Sequence, residues 1–252
     1  MKLDLSGNII LVTGAAGGIG EPMVRALAEH GATVAIHYNQ KAEGAKRLAT
    51  RVGNDSRTFQ ADLSHPQNGV ALFDNVLRTY HRLDVLVNNA GVYLRSPNDT
   101  DISDWLVTWE RTIAINLTAA GVLCREAVNY FKKHGGGRII NMASRAAFRG
   151  DYEDYFAYAA SKGGMVALSR TIARMYGKYN IKSFVVAPGF VRTPIVDEYI
   201  SKQGDAPIMQ ELALREMTKP EDVAPTVVFL ASGLMDHATG CTIDINAGSY
   251  VR

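Results

Sequence analysis

Tyr158 and Lys162 stand four residues apart in Tyr158-Ala159-Ala160-Ser161-Lys162. On a helix that spacing puts both side chains on one face. A free tyrosine titrates near 10, too high for a ready acid or base at neutral pH. A neighbouring ammonium favours the phenolate and is expected to lower that value. Such a pair could pass a proton to or from an alcohol oxygen while hydride moves on the carbon. Taken alone, the pair is also ordinary decoration of an amphipathic helix. Ser144 follows the apolar run Ile139-Ile140-Asn141-Met142. Its hydroxyl could hydrogen-bond an oxygen that is gaining charge, or it could be a simple turn residue.

A second constellation lies near the start, at Thr13-Gly14-Ala15-Ala16-Gly17-Gly18-Ile19-Gly20. Glycines allow a tight turn and let a diphosphate approach without a Cβ in the way. A helix beginning there offers free N–H groups and the positive end of its dipole. A glycine-rich stretch by itself is weak evidence, but this one sits between an apolar run and a helical pattern. Its spacing is not the commonest Gly-x-Gly-x-x-Gly.

The elements that must position these residues follow from the apolar pattern. Short β-branched runs fall at 8–13, 33–38, 58–60, 84–88, 137–142, 181–186 and 241–245. Helical periodicity fills 20–30, 42–52, 68–80, 103–125 and beyond, 156–176 and 220–232. Strands alternating with helices imply right-handed crossovers and a parallel sheet covered on both faces. The expectation is an α/β, doubly wound fold of about seven strands in a single domain over 1–252. Ser144 and the glycine turn then both follow strand ends, where open α/β sheets bind ligands. Segment 192–218, with Pro194, Gly204 and Pro207, reads as irregular.

Composition agrees with one ordinary globular domain: 252 residues, 47% hydrophobic and 21% charged. A net charge of +2 gives no reason to expect a nucleic-acid or membrane partner. No apolar run reaches the ~18 residues of a membrane span. Asp4 and Gly7 interrupt any leader-like apolar stretch. Cys124 and Cys241 are too few for a disulfide framework or a metal cluster, so no metal is expected and a reducing, cytoplasmic setting is the default.

Four motifs in this order resemble the short-chain dehydrogenase/reductase family: Thr13–Gly20, Asn88-Asn89-Ala90-Gly91, Ser144 with Tyr158-x-x-x-Lys162, and Pro188-Gly189. The resemblance spans nearly the whole chain and implies a Rossmann-like fold. By resemblance Tyr158 is the acid/base, Ser144 the serine and Lys162 the lysine, which also meets the nicotinamide ribose. Asn116, in Ala114-Ile115-Asn116-Leu117, would join a proton relay. From its residue type alone it is an asparagine inside an apolar helix, costly unless its amide is bonded. Gly14, Gly17, Gly18, Ile19 and Gly20 would meet the diphosphate, and Tyr38 and Asn39 the adenosine ribose. Asp62 and Leu63 would meet the adenine, and Asn89, Ala90 and Gly91 would run under the ribose. Pro188, Gly189, Val191 and Thr193 would meet the nicotinamide.

An NAD enzyme usually carries an acidic residue after the second strand, to pair with the ribose 2′-OH. Tyr38-Asn39-Gln40-Lys41 has none, and Asn39 and Lys41 could contact a 2′-phosphate, which favours NADP, with NAD or dual use left open. Many NADP-using members also carry a basic residue within the glycine turn, where this chain has Gly17. The implied activity is an NADP(H)-dependent interconversion of a ketone and a secondary alcohol, as in a carbonyl or 3-oxoacyl-thioester reductase. A sugar or polyol dehydrogenase is the alternative enzyme. A dinucleotide-binding sensor without catalysis is the alternative of another class.

On the substrate side, Arg145, Arg149, Tyr93 and Arg95 could attract an anionic group, or could be loop or oligomer contacts. By resemblance segment 192–218 is the substrate loop. It contains Ile195, Val196, Tyr199, Ile200, Met209 and Leu212, which name no substrate. Ala119, Ala120, Leu123, Ala159, Met165 and Leu168 exceed a single apolar stripe, which suggests a second partner surface or a helix buried within the monomer. By resemblance the chain would pair through these helices as a homo-oligomer, dimer or tetramer.

Overall fold

The central strands are short and apolar on both sides, and their alternation assigns each side to a different layer. In β1 (Ile9–Val12), Ile10 and Val12 face one core while Leu11 faces the other. The same period of two runs through β2 (Thr33–Tyr38) and β4 (Val85–Asn88), where Val34, Ile36, Val85 and Val87 join the first core and Ala35 and Leu86 the second. The computed structural model describes residues 3–252, apart from the side chains of Ile195, Glu198, Tyr199, Lys202 and Gln203.

The first core is closed by Met23, Val24 and Leu27 of α1 (Gly20–Glu29), Leu48 of α2 (Ala42–Val52) and Val223, Val227 and Leu230 of α10 (Pro220–Ala231). The second is closed by Leu72, Phe73 and Val76 of α3 (Pro66–Tyr80), by Leu123, Ala127 and Phe131 of α5 (Ala119–Phe131) and by Ile172 of α7 (Phe156–Tyr176). With β3 (Arg57–Gln60), β5 (Gly137–Met142), β6 (Ile181–Pro188) and β7 (Thr242–Ile245), the sheet has seven strands in the order β3-β2-β1-β4-β5-β6-β7. All six pairings are parallel. This is the expected doubly wound, Rossmann-like single domain. The chain winds outward in opposite senses from β1 and β4. The crossovers that follow those two strands therefore run to opposite sides and open a crevice at the strands' C-terminal ends.

Two stretches differ from the sequence expectation. The long helix from 103 is interrupted: α4 (Ile102–Ile113) passes through a π-helical turn at Ala114–Thr118 before α5 begins. The extra residue in that turn carries Asn116, whose amide bonds to a neighbouring loop rather than lying idle. Segment 192–218 is less irregular than expected, with α8 (Pro194–Gln203) and α9 (Ala206–Glu211) inside it. Its prolines stand in the first turns of those helices, where a missing N–H costs nothing. Gly204, at φ 78°, separates the two helices. A bridge between Val191 and Thr218 pins the two ends of the segment together. A short helix, α6 (Ala146–Arg149), also follows β5. Among the described residues no helix is long and apolar enough to cross a membrane.

Candidate active site

The crevice is built first by backbone. After β1 the chain turns so tightly that a Cβ on Gly14 would sit 2.8 Å from the Ala90 Cα, and one on Gly20 would sit 2.3 Å from the Gly14 carbonyl oxygen. Only glycine fits either place. Thr13 Oγ1 accepts the N–H groups of Asn89 and Ala90, both at 2.9 Å. The Asn89 amide donates to the carbonyl oxygens of Thr13 (2.9 Å) and Gly14 (3.1 Å). The loops after β1 and β4 are thus sewn edge to edge.

His37, at the end of β2, supports the same turn from below. Its Nδ1 accepts the Gly14 N–H at 3.0 Å and its Nε2 lies 3.0 Å from the Ala61 carbonyl oxygen, to which it donates. The ring is 2% exposed, and burial lowers its pKa to about 4. It is therefore a neutral imidazole with one tautomer. Asp62 is held below the usual carboxylate range by the Ser64 N–H and hydroxyl, both donating to Oδ1.

At the other end of the crevice, Lys162 Nζ donates to the Met142 carbonyl oxygen at 2.7 Å and stands 5.7 Å from the centroid of the Tyr158 ring. The side chains do share a helix face, but the expected lowering of the tyrosine does not occur. Burial pushes the Tyr158 phenol up to about 12, against a smaller lowering from hydrogen bonding with Ser144. Burial also takes Lys162 down to about 8. Both groups have lost water, and each loss disfavours the charged form. Asn116 lies behind them, fully buried. Its Oδ1 accepts the Val92 N–H at 2.8 Å, and its Nδ2 donates to the Val92 carbonyl at 3.0 Å and to Ser161 Oγ at 3.2 Å.

These parts line one cavity of about 570 Å³. Every residue singled out for cofactor contact borders it except Gly20, which serves the turn internally. Ser144, Tyr158 and Lys162 border it too, whereas Asn116 does not.

The anion-attracting reading of the substrate side fares differently. Arg145 and Arg149 both pair with Glu211 of α9, at 2.7 and 2.9 Å, and Arg95 pairs with Asp154 at 2.7 Å. These cations are already matched within the chain, and only Arg145 and Tyr93 border the cavity. Of the residues taken to form a subunit surface, Ala119, Ala120, Leu123 and Met165 are covered within the chain itself. The side chains of Ile195 and Tyr199 lie outside the described residues.

Four residues near the site went unnoticed in the sequence as site residues: His37, Asp151, Phe190 and Glu211. A histidine inside a buried apolar strand was a signal for the first, because its ring nitrogens must find partners. Lys41, read from the sequence together with Asn39 as a residue that could contact a 2′-phosphate, borders the same cavity. Its Nζ lies 3.0 Å from where a Cβ on Gly17 would be, so the ammonium overhangs the glycine turn. No local signal marks the other three, which meet only through the fold.

A family model described as Enoyl-(Acyl carrier protein) reductase matches residues 14–249, almost the whole chain. The chain is a member of the short-chain dehydrogenase/reductase family. Among relatives of this short-chain dehydrogenase/reductase, Nodulation protein G of Rhizobium sp. (strain N33) is 36% identical over 245 residues, covering 97% of this chain and 98% of its own. D-threitol dehydrogenase of Mycolicibacterium smegmatis is 33% identical over 252 residues, covering 98% of this chain and 95% of its own. A solved structure from Agrobacterium tumefaciens superposes with a TM-score of 0.91 over 100% of both chains, at 28% identity. As a short-chain dehydrogenase/reductase the chain is an oxidoreductase that uses a nicotinamide dinucleotide and acts on small molecules.

Proposed function

We propose that this enzyme interconverts a ketone and a secondary alcohol with NADP(H). The observation that carries the reading is one cavity with the glycine turn at one end and Ser144, Tyr158 and Lys162 at the other. The residues suit a dinucleotide. Gly14, Gly17, Gly18 and Ile19 would offer backbone to the diphosphate, with Gly20 keeping the turn closed. Tyr38 and Asn39 would flank the adenosine ribose, and Asp62 and Leu63 the adenine. Asn89, Ala90 and Gly91 would pass under the ribose, with Pro188, Gly189, Val191 and Thr193 at the nicotinamide. When bound, the cofactor supplies or takes up the hydride.

The chain's own groups handle the oxygen. In reduction Tyr158 donates its phenolic proton to the substrate oxygen, while the Ser144 hydroxyl hydrogen-bonds that oxygen. A phenol held up near 12 keeps its proton at neutral pH, as an acid must. In the oxidative direction a charged Lys162 favours the phenolate. Asn116 grips both backbone groups of Val92 and so holds the loop beside Lys162, where a relay of protons would leave.

Two features support NADP over NAD. The stretch from Tyr38 to Lys41 has no carboxylate to repel a 2′-phosphate. Lys41 also carries its ammonium to the space that a basic side chain at position 17 would fill. Reduction of a simple carbonyl or a 3-oxoacyl thioester is one substrate reading. Oxidation of a sugar or polyol is the other, and the relative named D-threitol dehydrogenase favours it. A pure sensor of the dinucleotide would have no use for the three proton-handling residues. We place the enzyme in the cytoplasm, since both cysteines are free thiols. A homo-oligomer is supported by Ile102, Leu106 and Val107, apolar and exposed on α4.

Tyr158→Phe tests the assignment. Turnover should fall by about a hundredfold or more, with NADPH binding retained. Wild-type turnover in that variant would refute the acid/base role, and clearly tighter binding of NADH than of NADPH would refute the NADP preference.

A further inference from the structure

The substrate end of the cavity holds a carboxylate that the proton chemistry above does not use. Asp151 follows Gly150, whose φ of 82° ends α6, and it borders the cavity together with Ser144 and Tyr158. Both of its hydrogen bonds end on the same oxygen. Oδ1 accepts the Tyr93 hydroxyl at 3.3 Å and the Tyr152 N–H at 2.9 Å. Oδ2 accepts from none of the described residues.

Tyr93 holds this carboxylate in a set orientation. Its ring stacks on Tyr155 at 3.9 Å and meets Tyr158 edge-on at 4.7 Å. The acceptor thus stands at a fixed place beside the phenol that would meet the substrate oxygen. Arg145 and Arg149 are near enough to pull on Asp151, but both are ion-paired to Glu211, and no ion pair joins Asp151 to any described residue.

A half-buried carboxylate with a spare oxygen is selective about what covers it. An apolar acyl chain or ring would strip its water and return no hydrogen bond. A carboxylate or phosphate on the substrate would be repelled. A hydroxyl would be accepted in a charge-assisted bond.

We propose that Asp151 accepts a second hydroxyl of the substrate, so that the enzyme acts on polyhydroxylated ketones and their alcohols. The inference rests on the ketone–alcohol reading above. It makes Asp151 a specificity-determining residue and Tyr93 the residue that positions it.

Matched 2-ketones test it: butan-2-one with erythrulose, pentan-2-one with xylulose, and hexan-2-one with fructose. NADPH oxidation gives kcat/KM for the wild type, Asp151→Asn and Asp151→Ala. The wild type should prefer the hydroxylated member of at least one pair. Asp151→Ala should shrink that preference about ten- to hundredfold, with Asp151→Asn, which keeps an acceptor but loses the charge, in between. If the alanine variant does not fold, the asparagine variant carries the comparison. An unchanged preference in the variants, or a wild type that reduces only the unsubstituted ketones, overturns the Asp151 assignment and leaves the ketone reading intact. Failure to reduce any of these ketones, with NADPH bound, overturns both.

Discussion

The imidazole of His37 takes the Gly14 N–H on one nitrogen and gives its own N–H to the Ala61 carbonyl with the other. A single neutral ring therefore ties the glycine turn to the strand end that leads into Asp62. Protonation would put a second N–H where Gly14 already donates, on a ring that is 2% exposed.

That relationship has a pH signature. The folded pKa, about 4, lies below the ordinary 6.5, so the unfolded chain binds the proton more readily. Stability from this group is complete above about pH 6.5 and drains away as pH falls towards 4, by about 3 kcal/mol in all. Urea unfolding of the wild type and of His37→Gln at pH 7, 5.5 and 4.5 checks this. Glutamine can both accept and donate, so its stability should fall less over that window. Parallel curves for the two proteins would refute the assignment.

Lys41 should carry the preference for the phosphorylated cofactor. Lys41→Ala is expected to weaken NADPH binding about tenfold or more, the worth of a charge-assisted contact, with little effect on NADH. Fluorescence titration of both cofactors measures it. Equal losses for the two would show that Lys41 acts on the turn rather than on a 2′-phosphate.

Glu211 should hold the substrate segment down. It is the shared partner of Arg145, which is 5% exposed, and Arg149, and it accepts the Tyr152 hydroxyl at 3.1 Å. Glu211→Gln strands a buried guanidinium. Because the carboxylate itself is partly exposed, the cost should be about 1–3 kcal/mol rather than the full value for a buried pair. A lower Tm, with faster tryptic cleavage within 192–218, is the expected result. Wild-type values for both would show that the pair does not fasten the segment.

Much of the fold was legible because the central strands β1, β2, β4, β5 and β6 are buried on both faces and the crossovers carry a helical period. The glycine turn could be read because its glycines answer to backbone crowding, as at Gly14 and Gly20, and crowding leaves no choice of residue. Ser144, Tyr158 and Lys162 could be brought together because two of them share one helix turn and the third follows a strand. Tyr158's high pKa could not be read in the same way. Spacing reports which groups are neighbours, and burial decides which charge survives. Asp151 was invisible for a related reason. Its meaning comes from Tyr93, 58 positions away in the chain, and from Glu211 having already taken the nearby arginines. The helices of 192–218 were hidden because Pro194 and Pro207 were read as breaks, when they stand in the first turns of helices.

The bridge between Val191 and Thr218 gives the substrate segment two fixed feet on the scaffold. Whatever lies between them can be lengthened, shortened or exchanged without shifting β6 or α10. The segment can then vary in sequence while Asp151 and Tyr93 stay on the scaffold outside it. A graft cut after Val196 and before Thr218 would exchange the segment while leaving the sheet and the cavity-lining Thr193, Pro194 and Val196 in place.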